Sequence, residues 1–307
     1  MTHSSPNTGF ARASVRAGFE RVGLIGKFHA PASGDVIQQL AQFLDRRGQT
    51  VVIEAQTAHD HNLNDYAHCP LASLHEHCDV ALVVGGDGTM LGAGRVLAKH
   101  RIPVIGINQG RLGFITDISS KEFAQTLAPM LDGAYEIEHR TMMRADIWRG
   151  EHCECASEAL NDVVINRGSM GGMIELRVEV GGHFVASQRA DGLIIASPTG
   201  STAYALSVGG PILHPSIDGW VLAPIAPHTL SNRPIVLPTT HVVDIEVVAA
   251  RDPSAHFDMQ SFTSLLPGDR VRVQRSADQL CLLHPKGWNY FDTLRKKLLW
   301  NEGLPRP

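Results

Sequence analysis

One carboxylate stands among glycines at Gly85-Gly86-Asp87-Gly88-Thr89, directly after the apolar run Val80-Ala81-Leu82-Val83-Val84. Glycines lack a Cβ and let a backbone approach phosphate closely. A single Asp among them can hold a metal or take a proton from a hydroxyl beside that phosphate. The chemistry implied is phosphoryl transfer, with Gly85, Gly86, Gly88 and Thr89 as a phosphate loop. The plainer reading is a tight strand–helix connection, where glycine pairs are common. An acid at the tip and more glycines than a turn needs weigh against it. The segment is neither a dinucleotide fingerprint (G-x-G-x-x-G) nor a P-loop (G-x-x-x-x-G-K-[ST]).

Other groups downstream could serve the same chemistry. Asn161-Asp162 precedes Val163-Val164-Ile165 and could bind a sugar diol; on these residues alone an Asx turn leading into a strand is the stronger reading. Arg189 and Asp191 stand two apart, a spacing that puts them on one strand face as a charged pair. Residues 197–207 (SPTGSTAYALS) lead into a helix start whose N–H groups attract anions. A routine cap there explains one hydroxyl, but not Thr199, Ser201, Thr202 and Ser207 together with Tyr204. His59, His61, His68, Cys69, His75, His77 and Cys78 cluster without a zinc spacing and read as surface loop. No metal ligand is assigned.

The first half of the chain alternates strand and helix signals. Residues 21–26 (RVGLIG), 49–54 (QTVVIE), 79–84 and 103–107 (PVIGI) read as strands. A helix is expected from a Ser33 N-cap to Arg47, and another from Met90 to His100. Residues 55–77 are polar and weakly patterned. This order predicts a doubly wound parallel sheet, whose ligands bind at the carboxyl ends of the strands. Both residues 85–89 and the loop 108–114 (NQGRLGF) fall at such ends. After Arg140 period-two alternation takes over, as in Leu176, Val178 and Val180, and predicts an all-β, sandwich-like C-terminal domain. The expected division is a flexible tail over 1–20, an α/β domain over 21–140 and a strand-rich domain over 141–289. A helix over 290–303 is expected to pack back on the α/β domain.

The 307 residues are 43% hydrophobic and 19% charged, enough to bury a core. A net charge of −4 argues against a nucleic-acid partner. Five cysteines without framework spacing fit a reduced, cytoplasmic protein. No apolar stretch reaches the ~18–20 residues of a membrane span, and residues 1–20 carry no secretory apolar core.

Taken in order, residues 85–89, 108–117 (NQGRLGFITD), 160–164 (LNDVV), 191–215 (DGLIIASPTGSTAYALSVGGPILHP) and 284–300 resemble the motif set of the NAD kinases. The block 191–215 is the most specific. The glycine–Asp turn alone is shared with diacylglycerol, sphingosine and 6-phosphofructokinases. The resemblance implies transfer of the γ-phosphate of ATP to the 2′-hydroxyl on the adenosine ribose of NAD, giving NADP. It makes Asp87 the proton acceptor, or an essential carboxylate near the metal and phosphates, and implies Mg²⁺ or another divalent metal. It implies NAD contacts at Asp87, Gly88, Phe114, Asn161, Asp162, Arg189, Asp191, Thr202, Ala203, Tyr204, Ala205, Leu206, Ser207 and Gln260. It also implies a homo-oligomer, dimer or tetramer, joined through the strand-rich domain, with Arg189 and Asp191 reaching a neighbour's ligand. Gln109, Arg111, Gly172, Ala196 and Ala205 depart from common family residues; Gly172 replaces a histidine that some relatives place near the ligand.

Two other functions compete. A lipid or sugar kinase would share the glycine–Asp turn but lack the Tyr204 block. A non-catalytic NAD-binding regulator could dispense with Asp87, which this chain retains.

Overall fold

A computed structural model of the protein describes residues 18–27, 34–110, 112–168 and 172–300. The tail through residue 17, the expected Ser33 cap, Arg111 and residues 301–303 lie outside them. The α/β part runs β1 (Arg21–Gly26), α1 (Gly34–Arg46), β2 (Thr50–Glu54), α2 (Ala55–Asp60), β3 (Ala67–Cys69) and β4 (Val80–Val84). It continues through α3 (Asp87–Ala98), β5 (Val104–Asn108), β6 (Ile118–Ser119) and α4 (Phe123–Leu131). Then come β7 (Tyr135–Arg149), β8 (His152–Ala159), β9 (Asp162–Asn166), β10 (Ile174–Val180), β11 (His183–Ala190) and β12 (Gly192–Ala196). The last elements are α5 (Tyr204–Ser207), β13 (Gly219–Ile225), β14 (Ile235–Pro238), β15 (Val243–Ala249), β16 (Ser254–Phe257), β17 (Ser261–Ser264), β18 (Arg270–Pro285) and α6 (Tyr290–Leu298).

Strands β3-β2-β1-β4-β5 are parallel and adjacent in that order. This is the expected doubly wound sheet, and its order reverses between β1 and β4. Ligands of such sheets bind at that reversal, beyond the strands' carboxyl ends. Period-two burial divides β4 between two cores. Val80, Leu82 and Val84 face α1 and α4, while Ala81 and Val83 face α3. With both faces covered, the strand must read as a continuous apolar run.

The strand-rich half is the expected sandwich. Its six-stranded antiparallel layer, β14-β13-β12-β9-β16-β17, packs through Val163, Leu193, Trp220 and Phe257. Opposite lie Met143, Ile147, Leu176, Val178, Ile245 and Val271 of the second layer. That second layer is not separate from the α/β domain. β18 pairs in parallel with β5 at Leu282 and Val104, so one twelve-stranded sheet spans both halves. β7 also crosses residue 140 without interruption.

Three local features depart from the sequence expectation. The weakly patterned stretch 55–77 holds α2, β3 and a 3₁₀ turn over Leu71–Glu76. Glu54 caps α2, its carboxylate accepting from Gln56 N at 2.9 Å and Thr57 N at 2.7 Å. Such a cap stabilises a helix too short to form on its own pattern. The helix α4, with Pro129 inside it, was not anticipated. The helix expected over 290–303 ends at Leu298, with Leu299 in left-handed backbone.

Candidate active site

Asp87 is the first residue of α3, with Gly86 as N-cap. The helix therefore begins at Asp87 rather than Met90, and the acid sits in its first turn. N–H groups there have no carbonyl one turn back. The loop after β5 holds the carboxylate from the other side. Phe114 N donates to Oδ2 at 3.0 Å, Ile115 N to Oδ1 at 3.2 Å and Thr116 Oγ1 to Oδ1 at 3.3 Å. That loop is itself tied down: Asn108 Nδ2 donates to the Thr116 carbonyl at 3.2 Å, and Gly113 N donates to it at 3.1 Å.

Gly113 lies directly under the carboxylate. A Cβ there would stand 2.1 Å from both Asp87 Oδ1 and Thr116 Oγ1. Both are side-chain ends rather than backbone, and moving them gives up hydrogen bonds worth about 1–3 kcal/mol, so Gly113→Ala should cost only modest stability. It should displace the acid and lower kcat roughly 10²-fold, since small misplacements of reacting groups have effects of that size. Steady-state kinetics beside a thermal melt would check this; an equal loss in both would contradict it.

The second domain reaches Asp87 through the hairpin between β16 and β17. Gln260 Nε2 donates to the Gly88 carbonyl at 2.5 Å, across 172 residues of sequence. Arg95 of α3 donates to Gln260 Oε1 at 2.9 Å. Asp258, two residues earlier, was not foreseen from the sequence. Its carboxylate accepts from the backbone N–H groups of Leu160 (3.0 Å), Asn161 (2.7 Å) and Asp162 (3.2 Å). Arg95 Nη1 stands 3.4 Å from its other oxygen. Asp258 and Met259 both adopt left-handed backbone, with φ of 52° and 54°. Strain of this kind persists where surrounding contacts over-determine it. The sequence signal was faint: an Asp between an apolar strand end and the already suspected Gln260.

Asp162 and Asp258 form a buried acid pair with unequal partners. Burial pushes the Asp162 carboxyl up to about 7, and the Asp258 charge adds to the rise. Burial also raises Asp258, against the opposing effect of its three N–H donors and Arg95. Asp162 Oδ1 is buried without a hydrogen-bond partner. Asp258 owns the donors, so Asp162 is the more readily protonated of the two.

Asn161 continues the chain of contacts into residues 197–207. Ser197 N donates to the Asn161 carbonyl at 2.8 Å. A Cβ on Gly200 would meet that carbonyl oxygen at 2.0 Å, so only glycine fits the crossing. The helix expected after it is a 3₁₀ turn over Gly200–Thr202 followed by the four-residue α5. Neither is long enough to act as an anion-binding helix end, which corrects that reading. The hydroxyls are used locally. Ser201 Oγ donates to the Pro198 carbonyl and accepts from Leu213 N, Thr202 Oγ1 donates to the Thr199 carbonyl, and Ser207 Oγ donates to the Tyr204 carbonyl. Ala205 is fully buried, whereas Thr202, Ala203, Tyr204 and Leu206 are half-buried and Ser207 is exposed.

Arg189 and Asp191 do not pair. Asp191 takes Arg167 instead, at 2.7 Å, because the chain leaves β11 at Ala190 and the end of β9 brings Arg167 beside it. Both residues lie at the opposite end of β12 from Ser197, roughly 17 Å away along a five-residue strand. A chain of contacts thus links Asp87, Gly88, Phe114, Gln260, Asn161, Asp162 and Gly200, while Arg189 and Asp191 stand apart. In the histidine-rich stretch His75 stacks on His100 at 3.4 Å. Among the described residues no group of three or more His, Cys, Asp or Glu could hold a metal ion.

An acid in the first turn of a helix, at the reversal of a parallel sheet and beside a hairpin from a β-sandwich, is the arrangement of a two-part protein built for phosphate chemistry. Comparison with known proteins narrows the class. Residues 22–135 match the ATP-NAD kinase N-terminal domain, and residues 160–284 match the ATP-NAD kinase C-terminal domain. The NAD kinase of Polaromonas naphthalenivorans is 60% identical over 290 residues, covering 94% of this chain and 100% of that one. That of Paracidovorax citrulli is 60% identical over 292 residues, 93% and 98% of the two chains. The fold matches the yeast NADH kinase complexed with NADH at a TM-score of 0.86 and 22% identity, over 94% of this chain and 90% of that one. It matches an Archaeoglobus fulgidus NAD kinase in complex with ATP at 0.68 and 24% identity, over 90% and 99%. The chain belongs to the NAD kinase family, the kinases that phosphorylate NAD to NADP.

Proposed function

We propose that Asp87 is the proton acceptor as the γ-phosphate of ATP passes to the 2′-hydroxyl of the adenosine ribose of NAD. The observation that supports it most is the cage of three donors around the carboxylate, which leaves the side chain one orientation over the first turn of α3. Phosphoryl transfer asks the protein for positioning and charge stabilisation rather than covalent chemistry. Gly85, Gly86, Gly88 and Thr89 line the phosphate side of that turn. Asn161 and Asp162 accept the ribose hydroxyls of NAD, and residues 202–207 with Phe114 flank its adenine and ribose. Gln260 ties the two halves together at Gly88.

A divalent cation fits this donor set as a companion of the nucleotide. One carboxylate at the turn is what a Mg²⁺ already coordinated by phosphate oxygens requires. Bound, it would neutralise charge on the transferring phosphoryl group. Arg189 and Asp191, remote from Asp87 in their own chain, serve a neighbouring subunit's ligand in a dimer or tetramer. Apolar side chains open on the strand-rich domain support such an assembly: Phe184 is 57% exposed and Phe262 67%. No helix among the described residues is long and apolar enough to cross a membrane, and the cytoplasm is the proposed location. The reading is tested by incubating the purified chain with NAD, ATP and Mg²⁺. NADP carrying a 2′-phosphate supports it; ATP turnover on fructose 6-phosphate or sphingosine instead would reject it, as would NAD binding without NADP.

NAD binding should also release a proton. Free Asp162 titrates near 7, and hydroxyl donors of the ribose favour its charged form. Affinity should therefore rise as pH climbs through about 7. Calorimetric titration near pH 6.5 in two buffers of different ionisation enthalpy would read the release, and Asp162→Asn should abolish it. The same shift has a stability sign. A folded carboxyl raised above its unfolded value stabilises below the unfolded value and loses that contribution as pH rises through about 7.

A further inference from the structure

His284 lies outside that linked set, at the end of β18, and is buried. Its ring nitrogens each face a carboxylate. Nδ1 stands 2.9 Å from Asp117 Oδ2, and Nε2 stands 3.2 Å from Glu138 Oε2. Neutral imidazole carries one N–H, so one nitrogen would then oppose a carboxylate lone pair with its own. The geometry requires both nitrogens to donate, which makes the ring an imidazolium. Charge balance agrees. Arg140 Nε donates to Glu138 Oε2 at 2.7 Å, so the group holds two carboxylates and one guanidinium, and a second cation balances it. Burial alone would lower the His284 pKa, but the hydrogen bonds and charges of Asp117 and Glu138 outweigh it and leave it raised. Trp288 stacks on the ring at 3.9 Å and 12°, which fixes its plane. Arg140 and Tyr290 lie beside Glu138, and Glu136 faces His284 across the β7–β18 register.

Asp117 is the link to the chemistry. It follows Thr116, whose hydroxyl and backbone neighbours make the donor cage around Asp87. Through Asp117, His284 fastens the end of the loop 113–117 to β7 and β18. Arg140 continues the network, its Nη1 donating to Thr199 Oγ1 at 3.3 Å, next to the Gly200 crossing. We propose that His284 is a positioning residue for phosphoryl transfer: as an imidazolium it clamps Asp117 to Glu138 and so aims the cage that holds Asp87. This rests on Asp87 acting in the transfer. His284 touches neither substrate in this scheme.

The test compares His284→Gln, Asp117→Asn and the double variant with Asp87→Asn run in parallel. A clamp predicts that folded His284→Gln loses ~10–100-fold in kcat, as misplaced reacting groups do, with KM for NAD and ATP nearly unchanged. Adding Asp117→Asn removes the uncompensated carboxylate and should restore part of the turnover, a rescue that general loosening of the fold would not produce. The proposal is overturned if folded His284→Gln keeps wild-type kcat, if KM values rise in step with the loss, or if the double variant is no better than the single. Should His284→Gln fail to fold, Asp117→Asn decides: reduced kcat at constant KM supports the clamp, and unchanged kcat overturns it. Turnover retained by Asp87→Asn would remove Asp87 from the base role. Turnover lost there but kept in His284→Gln would sink the clamp alone.

Discussion

Asp87→Asn is expected to keep the fold and most NAD affinity while losing turnover by ~10²–10⁴-fold, the usual contribution of a positioned base. The two side chains have the same shape, so the packing over Gly113 is unaffected. One asparagine oxygen can still accept from Ile115 N and Thr116 Oγ1. The amide nitrogen then meets the Phe114 N–H, donor against donor, at the site where Oδ2 now accepts. That mismatch costs about 1–3 kcal/mol, which a domain-sized core tolerates. Calorimetric NAD titration and steady-state kinetics on the same preparation separate the two effects. Near-normal kcat would remove Asp87 from the proton-accepting role.

Asp258→Ala should produce the largest loss of stability. The carboxylate is fully buried, accepts three backbone N–H groups and faces Arg95. Removing one partner of a buried charged pair costs about 3–5 kcal/mol, because the other is left uncompensated. For a chain of 307 residues that corresponds to a fall in Tm of roughly 5–8 °C. The effect should not stay local. Asn161 and Asp162 lose the acceptor that fixes their backbone, so KM for NAD should rise in whatever fraction remains folded. Thermal melts with and without NAD would measure both. An unchanged Tm would mean that water replaces the acceptor without loss, and that Asp258 does not hold the site.

Much of the site was legible because its parts are local. An apolar run followed by glycines and an acid specifies strand, turn and helix within ten or so residues, and β4 and α3 obey that pattern. Alternating apolar residues on β10 and β15 specify a half-buried sheet in the same way. Where spacing misled, a partner from elsewhere won. The two-residue interval between Arg189 and Asp191 implied a pair, but β11 ends between them and Arg167 arrives from β9. The hydroxyls of residues 197–207 looked like a ligand cluster, yet Ser201, Thr202 and Ser207 bond their own backbone, as short polar side chains do in turns. The 55–77 stretch hid its helix because Glu54, a strand residue, supplies the cap.

By itself the sequence determined the two-part architecture, the phosphate-directed turn and, through the order of its motifs, the family. Each depends on periodicity or on residues close together in the chain. Tertiary structure alone decided what holds the acid in place. Phe114, Ile115 and Thr116 cage Asp87, Asp258 pins Asn161 and Asp162, and Gln260 bolts onto Gly88. Those contacts join segments separated by up to 172 residues, and the longest of them crosses between halves that the β18–β5 pairing joins into one sheet. No local preference encodes that pairing; it follows from burying both sheets at once.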